Sequence, residues 1–331
     1  MSTRVSIGVM FRREQAPENL PDYARRVEAL GFDELWVVED CFYTGGIAQA
    51  ATALAATERI TVGLGIAPAV ARNASFLAME FATLARMHPG RFHGGIGHGV
   101  ADWIEQIGET PPSWLAALEE TSTAIRSLMR GEEVTTSGKT VRLRDVKLEH
   151  PPTDVPPVSL GVRGPKSLQL AGRCADGTIL AENSAPAYVS WAREHIASGA
   201  SAARRGDHHR LTVYTNCVIS ERDPDAARAA IRQWTALTLG GEGNVQLAPL
   251  PYADDLLALI AKGDLDTLRD GLHDDWLDDL AITGTPANGV SAIRRLADAG
   301  ADAVVLVPPM DMDPDAWLES VGTELLPRLK G

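Results

Sequence analysis

The chain has 331 residues, of which 45% are hydrophobic and 23% are charged, and its formal net charge is −13. These values are ordinary for a soluble globular protein, and the acidic balance argues against nucleic acid as a partner, because binding to phosphate backbones needs clustered cations. No run reaches the roughly 18 apolar residues of a membrane span, and the three cysteines form no disulfide or zinc pattern. We therefore expect a cytoplasmic protein without a metal site, which contacts neither nucleic acid nor a membrane and acts on a small molecule.

Short strand-like runs alternate with helix-like segments along the whole chain. The predicted strands are Val5–Phe11, Glu34–Val38, Thr61–Ile66, Phe92–Gly97, Val158–Val162, Thr178–Ala181, Thr212–Ile219 and Ala303–Pro308. The predicted helices are Pro17–Leu30, Ile47–Thr57, Phe76–Arg86, Ser113–Arg130, Lys166–Arg173, Ala187–Ala203, Pro224–Leu239, Gly289–Ala299 and Pro314–Leu329. Eight such βα units favour an α/β fold of one (β/α)8 TIM-barrel domain over 1–331, with a doubly wound open sheet as the competing architecture.

Two segments interrupt this alternation. The first, 131–157, contains a Ser-Gly pair between two strand-like runs, which predicts a β-hairpin insertion. The second, 240–283, is long, acidic and helix-rich, and follows the seventh strand. It is interpreted either as a solvated cover or as a lid over the mouth of the barrel.

The turn after the fifth strand, Gly161–Pro165, joins an apolar run to a helical pattern. Backbone N–H groups at the start of such a helix can bind a phosphate. Gly161 and Gly164 allow a ligand to approach the backbone closely, and Pro165 suits the first helical turn. The alternative interpretation is a purely structural βα turn.

Active sites of TIM barrels lie in the loops that follow the strands. Here these loops carry polar and aromatic side chains but no nucleophile elbow and no metal-binding motif. This composition indicates a bound organic cofactor that carries the reaction. Asp40 either caps the next helix or contacts a ligand, Cys41 is either a packing residue or a reactive thiol, and the position of His98 between two glycines favours a ligand contact.

Several motifs together resemble the bacterial luciferase-like family. They are Gly31–Asp40 at the second strand, Arg59–Ile66 and Ala78–Leu84 around the third, Pro89–Gly99 at the fourth, and Gly164–Lys166 with Ala171–Gly177 at the fifth and sixth. The resemblance extends over nearly the whole chain. It implies a TIM barrel with insertions that binds FMN or the deazaflavin coenzyme F420, and a homodimer that pairs through the helices beside strands two and three.

The resemblance favours F420 over FMN. The deazaflavin branch has an acid after strand two, a bulge with a non-proline cis peptide on strand three and a Gly-Pro phosphate loop after strand five. Asp40, Gly65-Ile66 and Gly161–Pro165 stand at these positions. The cofactor-binding residues so implied are Asp40, Gly65, Ile66, Ala67, His98, Gly99, Val100, Gly161, Val162, Arg163, Gly164 and Pro165. The implied catalytic residues are Asp40, Cys41 and His98, and the substrate-binding residues are Phe42, Tyr43, Trp103, Glu182 and Asn183.

Two departures from the family pattern bear on the reaction. In the sugar-phosphate dehydrogenases of this branch a histidine follows the acid, and a glutamate follows the glycines of strand four. Here Cys41 and Val100 stand at those positions. The loss of two ionisable groups favours hydride transfer to an activated C=C or C=N bond. An FMN-dependent monooxygenase that uses O2 and a non-catalytic cofactor- or ligand-binding barrel are the alternatives.

Overall fold

Strands and helices alternate throughout a computed structural model, which describes residues 4–240 and 244–330. The strands are β1 (Ser6–Met10), β2 (Glu34–Val37), β3 (Thr61–Pro68), β4 (Phe92–Gly97), β5 (Val134–Ser137), β6 (Arg142–Val146), β7 (Val158–Gly161), β8 (Gly177–Leu180), β9 (Arg210–Ile219), β10 (Ile282–Gly284) and β11 (Ala303–Val307). The helices are α1 (Leu20–Leu30), α2 (Gly46–Ala56), α3 (Ala74–Met87), α4 (Ala101–Gln106), α5 (Trp114–Met129), α6 (Pro165–Cys174), α7 (Pro186–Ala202), α8 (Pro224–Leu239), α9 (Ala253–Ile260), α10 (Leu265–Gly271), α11 (Asp274–Leu280), α12 (Pro286–Asp298), α13 (Pro314–Ser320) and α14 (Leu326–Lys330).

Eight parallel strands form a closed ring in the order β1-β2-β3-β4-β7-β8-β9-β11. Strand β1 pairs with both β2 and β11, and β8 pairs with β9, so the sheet returns on itself. The predicted (β/α)8 TIM barrel is therefore confirmed, and closure excludes the open sheet. All eight predicted strands are present, with ends that differ by at most two residues.

Three elements differ from the prediction. Strand β10 is only three residues long and pairs with β9 outside the ring, and α4 is a six-residue helix after β4. Elements this short carry too little hydrophobic periodicity to be recognised. The last predicted helix is divided by a π-helical turn at Val321–Leu325.

Apolar side chains form one layer between the helices and the barrel and a second layer inside the barrel. Trp36 fills the interior and is fully buried, because Gly63 on the neighbouring strand leaves room for its ring. A Cβ atom on Gly63 would lie 2.3 Å from that ring. The Trp36 indole N–H donates to Glu34 over 2.8 Å, and Glu34 is paired with Arg210 across the interior.

The two predicted insertions have distinct structures. The 131–157 segment contains the antiparallel hairpin of β5 and β6. The 240–283 segment contains a 3₁₀ turn at Val245–Leu247 and helices α9 to α11, apart from 241–243, which lie outside the described residues. No helix within 4–240 or 244–330 is long and apolar enough to cross a membrane.

We expect Gly63→Ala to destabilise the protein by about 3 kcal/mol, because the added methyl group collides with an aromatic ring that has no space to move. Urea unfolding of both proteins would measure this difference. The matched control is Gly206→Ala, whose Cβ would meet nothing within 4 Å and which should change stability by less than about 0.5 kcal/mol. Equal stability of the two variants would contradict the proposed packing of Trp36.

Candidate functional site

A cavity of about 820 Å³ opens at the carboxyl ends of the barrel strands. This size suits a bound organic molecule. Many of the residues implied by the sequence line it: Asp40, Gly65, Ile66, His98, Gly99, Val100, Gly161, Val162, Arg163, Gly164 and Glu182. The cavity therefore brings together residues from the second to the sixth strands of the barrel.

Strand β3 carries a bulge whose isoleucine rests against glycines on the neighbouring strands. The pairing of β3 with β4 shifts between Leu64 and Ala67, and the Gly65–Ile66 peptide is cis. A Cβ atom on Gly97 would lie 2.8 Å from Ile66, and one on Gly161 would lie 2.7 Å from it. The absence of side chains at these two positions thus allows Ile66 to occupy the cavity floor.

The loop 161–165 ends at the N-terminus of the ten-residue helix α6. Gly164 is the N-cap residue, and no side chain among residues 4–240 and 244–330 caps the helix, so its first backbone N–H groups have no side-chain acceptor there. Among the same residues, a Cβ atom at Gly164 would meet only Ser167 Oγ, at 3.8 Å. The hydroxyl groups of Ser167 and Tyr188 donate to the carbonyl groups of Gly164 and Arg163, over 3.0 and 2.8 Å. These contacts hold the loop in place and leave its cavity side free.

His98 stands at the end of β4, between the cavity and Trp114. The two rings are perpendicular, with centroids 6.0 Å apart. Burial lowers the pKa of His98 below its ordinary value, because the imidazolium ion would lose hydration. The ring is therefore neutral near pH 7, and it can offer one N–H donor and one nitrogen acceptor to a ligand.

Asp40 belongs to an ion-pair network at the rim of the cavity. Its carboxylate accepts from Arg13 over 2.8 Å, and Arg13 also donates to Glu14 over 2.9 Å. The Arg13 guanidinium lies 5.0 Å from the ring of Tyr43 and 5.5 Å from that of Trp103. Tyr43 and Trp103, two of the three predicted substrate-side aromatics, therefore contact a cavity-lining cation and do not line the cavity themselves.

The segment that carries Asp40 is anchored from behind by Glu39. This buried carboxylate forms a two-pronged ion pair with Arg72 and accepts the backbone N–H of Gly46 over 2.7 Å. Burial, and then the negative charges of Glu39 and Asp40, raises the pKa of the Cys41 thiol. Cys41 is thus held as a thiol, which is a poor nucleophile.

The far side of the cavity is formed by β9 and α8. Tyr214 and Asn216 point inward from β9, and both are buried. The Tyr214 hydroxyl lies 2.0 Å from the place where a Cβ of Gly65 would stand. It has no hydrogen-bond partner among the residues that the structure describes. Burial, and then the nearby carboxylate of Glu182, raises the pKa of Tyr214, so the hydroxyl group stays protonated.

Seven of the predicted site residues lie outside the cavity lining. Phe42 and Tyr43 are exposed, with 65% and 51% of their surface accessible. Ala67 is buried beyond the bulge, and the Asn183 amide donates to Thr238 over 3.0 Å. The others are Cys41, Trp103 and Pro165, which lie at the rim or begin α6.

Sequence reasoning missed other residues that line the cavity: Arg12, Arg13, Glu14, Tyr214, Trp234 and Thr238. It placed Asn216 at the mouth of the barrel, on the seventh strand, but gave it no role. The first three of the missed residues directly follow β1, so the rule that barrel sites lie at the ends of strands could have found them. Trp234 and Thr238 lie on α8, and nothing in their sequence context shows that this helix borders the mouth.

Comparisons with known proteins bear on the family and the fold. The family model described as luciferase-like monooxygenase matches residues 2–303. The chain is 28% identical to 5,10-methylenetetrahydromethanopterin reductase of Methanolobus tindarius, over 97% of this chain and 100% of the relative. It is 30% identical to F420-dependent glucose-6-phosphate dehydrogenase of Beutenbergia cavernae, over 98% and 97%. The solved coenzyme F420-dependent tetrahydromethanopterin reductase of Methanopyrus kandleri superposes with a TM-score of 0.83 and 25% identity, over 98% and 99%.

We expect the imidazole ring of His98 to protonate only below pH 6.5, because burial disfavours its cation. An NMR titration of the histidine rings would measure the midpoint, with His98→Asn identifying the signals. Because the pKa of His98 is lower in the folded protein than in the unfolded chain, the unfolded chain binds more protons as pH falls. The free energy of unfolding is therefore at its full value above pH 6.5 and decreases as pH falls below it. A midpoint at or above 6.5 would show that the ring is not desolvated.

Proposed function

Because this chain belongs to the luciferase-like monooxygenase family, we propose that it is an oxidoreductase that uses coenzyme F420 to exchange a hydride with a small organic substrate. The observation that carries the proposal is the combination of a β3 bulge with an open Gly-Pro loop at one cavity. The relatives named above support F420 as the cofactor. The dehydrogenase of Beutenbergia cavernae and the solved reductase of Methanopyrus kandleri are named as F420-dependent, and the relative from Methanolobus tindarius is named as a reductase of methylenetetrahydromethanopterin.

The residues at the cavity fit such a cofactor. The open N-terminus of α6 offers backbone N–H groups to a phosphate, and Gly164 leaves space beside them. Ile66 presents an apolar surface on which a flat ring can rest. The buried Tyr214 hydroxyl, without a partner among the described residues, provides a donor close to the same bulge.

We propose that Asp40, His98 and Gly99 contact the cofactor, while the protein orients the substrate and excludes water. A reduced deazaflavin, when bound, supplies a hydride to the substrate. Asp40 is held by Arg13, so its carboxylate is directed by that ion pair. His98 is neutral and therefore binds as a hydrogen-bonding group without adding positive charge to the site.

We further propose that the reaction is the reduction of an activated C=C or C=N bond. Val100 lines the cavity, at the position where the resemblance implies an ionisable residue in the sugar-phosphate dehydrogenases of the branch. The thiol of Cys41, with its raised pKa, lies outside the lining. Hydride addition to an activated double bond depends less on these acid–base groups than the oxidation of a sugar does.

We expect the purified protein to bind coenzyme F420 tightly and FMN at least tenfold more weakly, because the acid, the bulge and the phosphate loop form a deazaflavin site. Fluorescence quenching with the two cofactors side by side would measure both affinities. Preferential FMN binding, together with oxygen consumption, would assign the protein to the monooxygenases. Binding of neither cofactor would favour a non-catalytic barrel.

Gly164→Asp should weaken F420 binding about tenfold or more, equivalent to on the order of 1.4 kcal/mol, because a carboxylate would stand beside the bound phosphate. Gly164→Ala has space for its methyl group and should bind nearly as well as the unmodified protein. Gly206→Asp introduces the same charge in an open loop and controls for net charge. Unchanged affinity of Gly164→Asp would remove the loop from the site.

A further inference from the structure

Asn216 lies on the side of the barrel that faces the proposed cofactor bulge. The order β3-β4-β7-β8-β9 places its strand four positions from β3, which is opposite in a ring of eight. Asn216 lines the cavity and is fully buried. Because Tyr214 on the same strand reaches across to Gly65, Asn216, two residues further, stands nearer the mouth.

Hydrogen bonding determines which end of the Asn216 amide is available. The indole N–H of Trp234 donates to Asn216 Oδ1 over 3.0 Å. An indole nitrogen can only donate, so the amide cannot be turned around without placing two donors against each other. Nδ2 is therefore the remaining group, and it has no hydrogen-bond partner among the residues that the structure describes.

Trp234 is itself held in position. The guanidinium of Arg12 lies 4.9 Å from the centroid of its ring. Arg12 also donates to the carbonyl of Pro308 over 3.0 Å and is paired with Glu14. The cation and the indole thus hold the Asn216 amide with its donor end unsatisfied. A buried donor without an acceptor is costly, and its persistence at a cavity points to a ligand.

We propose that Asn216 Nδ2 binds a carbonyl oxygen of the substrate, which makes the substrate a compound whose C=C bond is conjugated to that carbonyl. This inference rests on the proposed function. An N–H donor needs an acceptor, and a protonated iminium nitrogen has no lone pair to offer.

A reduced deazaflavin, when bound, would supply a hydride to the carbon β to the carbonyl group, and the π electrons of the C=C bond would move toward the carbonyl oxygen. A proton from water would then add to the α carbon, and the hydroxide left behind would take up the N–H proton that the deazaflavin ring releases when it is oxidised. The products would be the saturated carbonyl compound, water and the oxidised cofactor. Asn216 Nδ2 stabilises the negative charge that develops on the oxygen, as a preorganised donor does.

Asn216 Nδ2 is buried by neighbouring atoms in this structure. The oxygen of a substrate can therefore reach it only when a neighbouring side chain moves. Binding can therefore be followed at Asn216 itself. In a ¹⁵N-labelled sample, cyclohexanone should shift the side-chain NH₂ signals of Asn216, which Asn216→Leu identifies by their loss. Methylenecyclohexane, which has the same shape but no oxygen, should leave them in place. Unmoved signals at the highest soluble concentration of cyclohexanone would overturn the proposal.

Variants distinguish a role of Asn216 in binding the substrate from a role in binding the cofactor. Asn216→Leu has a similar volume and should lower kcat/KM for the reduction of 2-cyclohexen-1-one about 100-fold, mainly through kcat, with F420 affinity unchanged within twofold. Trp234→Phe keeps an aromatic ring but lacks the N–H group, so the amide can turn and the loss should be partial, about tenfold. Trp276→Phe, in α11 outside the cavity lining, is the matched control and should behave like the unmodified protein.

Three further results would overturn the inference. If Asn216→Leu weakens F420 binding tenfold or more, the donor belongs to the cofactor site. If kcat/KM for the enone is unchanged in Asn216→Leu, the donor does not act on the substrate. Faster reduction of the cyclic imine 1-pyrroline than of the enone would indicate the other substrate class. Failure of the unmodified protein to bind F420 would refute the proposed function, while the cyclohexanone titration would still decide the role of Asn216.

Discussion

The architecture of the cavity depends on the absence of Cβ atoms at a few inward positions of the barrel. Gly63 admits the ring of Trp36, and Gly97 and Gly161 admit Ile66. A Cβ atom at any of these three positions would lie less than 3 Å from the side chain that now occupies the space. Close packing leaves almost no free volume inside a barrel, so the glycines determine which large side chains can enter it. The β3 bulge and the cavity floor both rest on this steric constraint.

The two sides of the cavity differ in chemical character. Strands β3, β4 and β7 contribute glycines, backbone groups and one neutral imidazole, which suits a flat cofactor with a phosphate. Strand β9 and helix α8 contribute hydrogen-bonding side chains, of which Tyr214 and Asn216 retain unsatisfied atoms in the described structure. A cofactor bound on one side and a substrate recognised on the other would bring the two reactants face to face, which is the main contribution a protein makes to hydride transfer.

The charged residues at the rim act mainly through one another. Asp40 and Glu14 share Arg13, while Glu39 behind them is neutralised by Arg72. These ion pairs hold the carboxylates in fixed orientations, and they leave little unbalanced charge at the site. The raised pKa of Cys41 likewise keeps its thiol uncharged beside these carboxylates.

The sequence by itself determined the succession of strands, the barrel class and the local motifs, because periodicity, turn residues and the Gly-Pro loop act over short stretches of chain. It also indicated Gly65-Ile66 and Gly161–Pro165, since both belong to recognisable motifs. Only the tertiary structure decided which side chains meet. Asn216, Trp234 and Arg12 lie on three separate elements, and their hydrogen bond and cation–π contact depend on how the barrel closes and how α8 lies across its mouth. Such contacts leave no periodic pattern in the sequence, because each joins residues that are distant along the chain and carry no shared local signal.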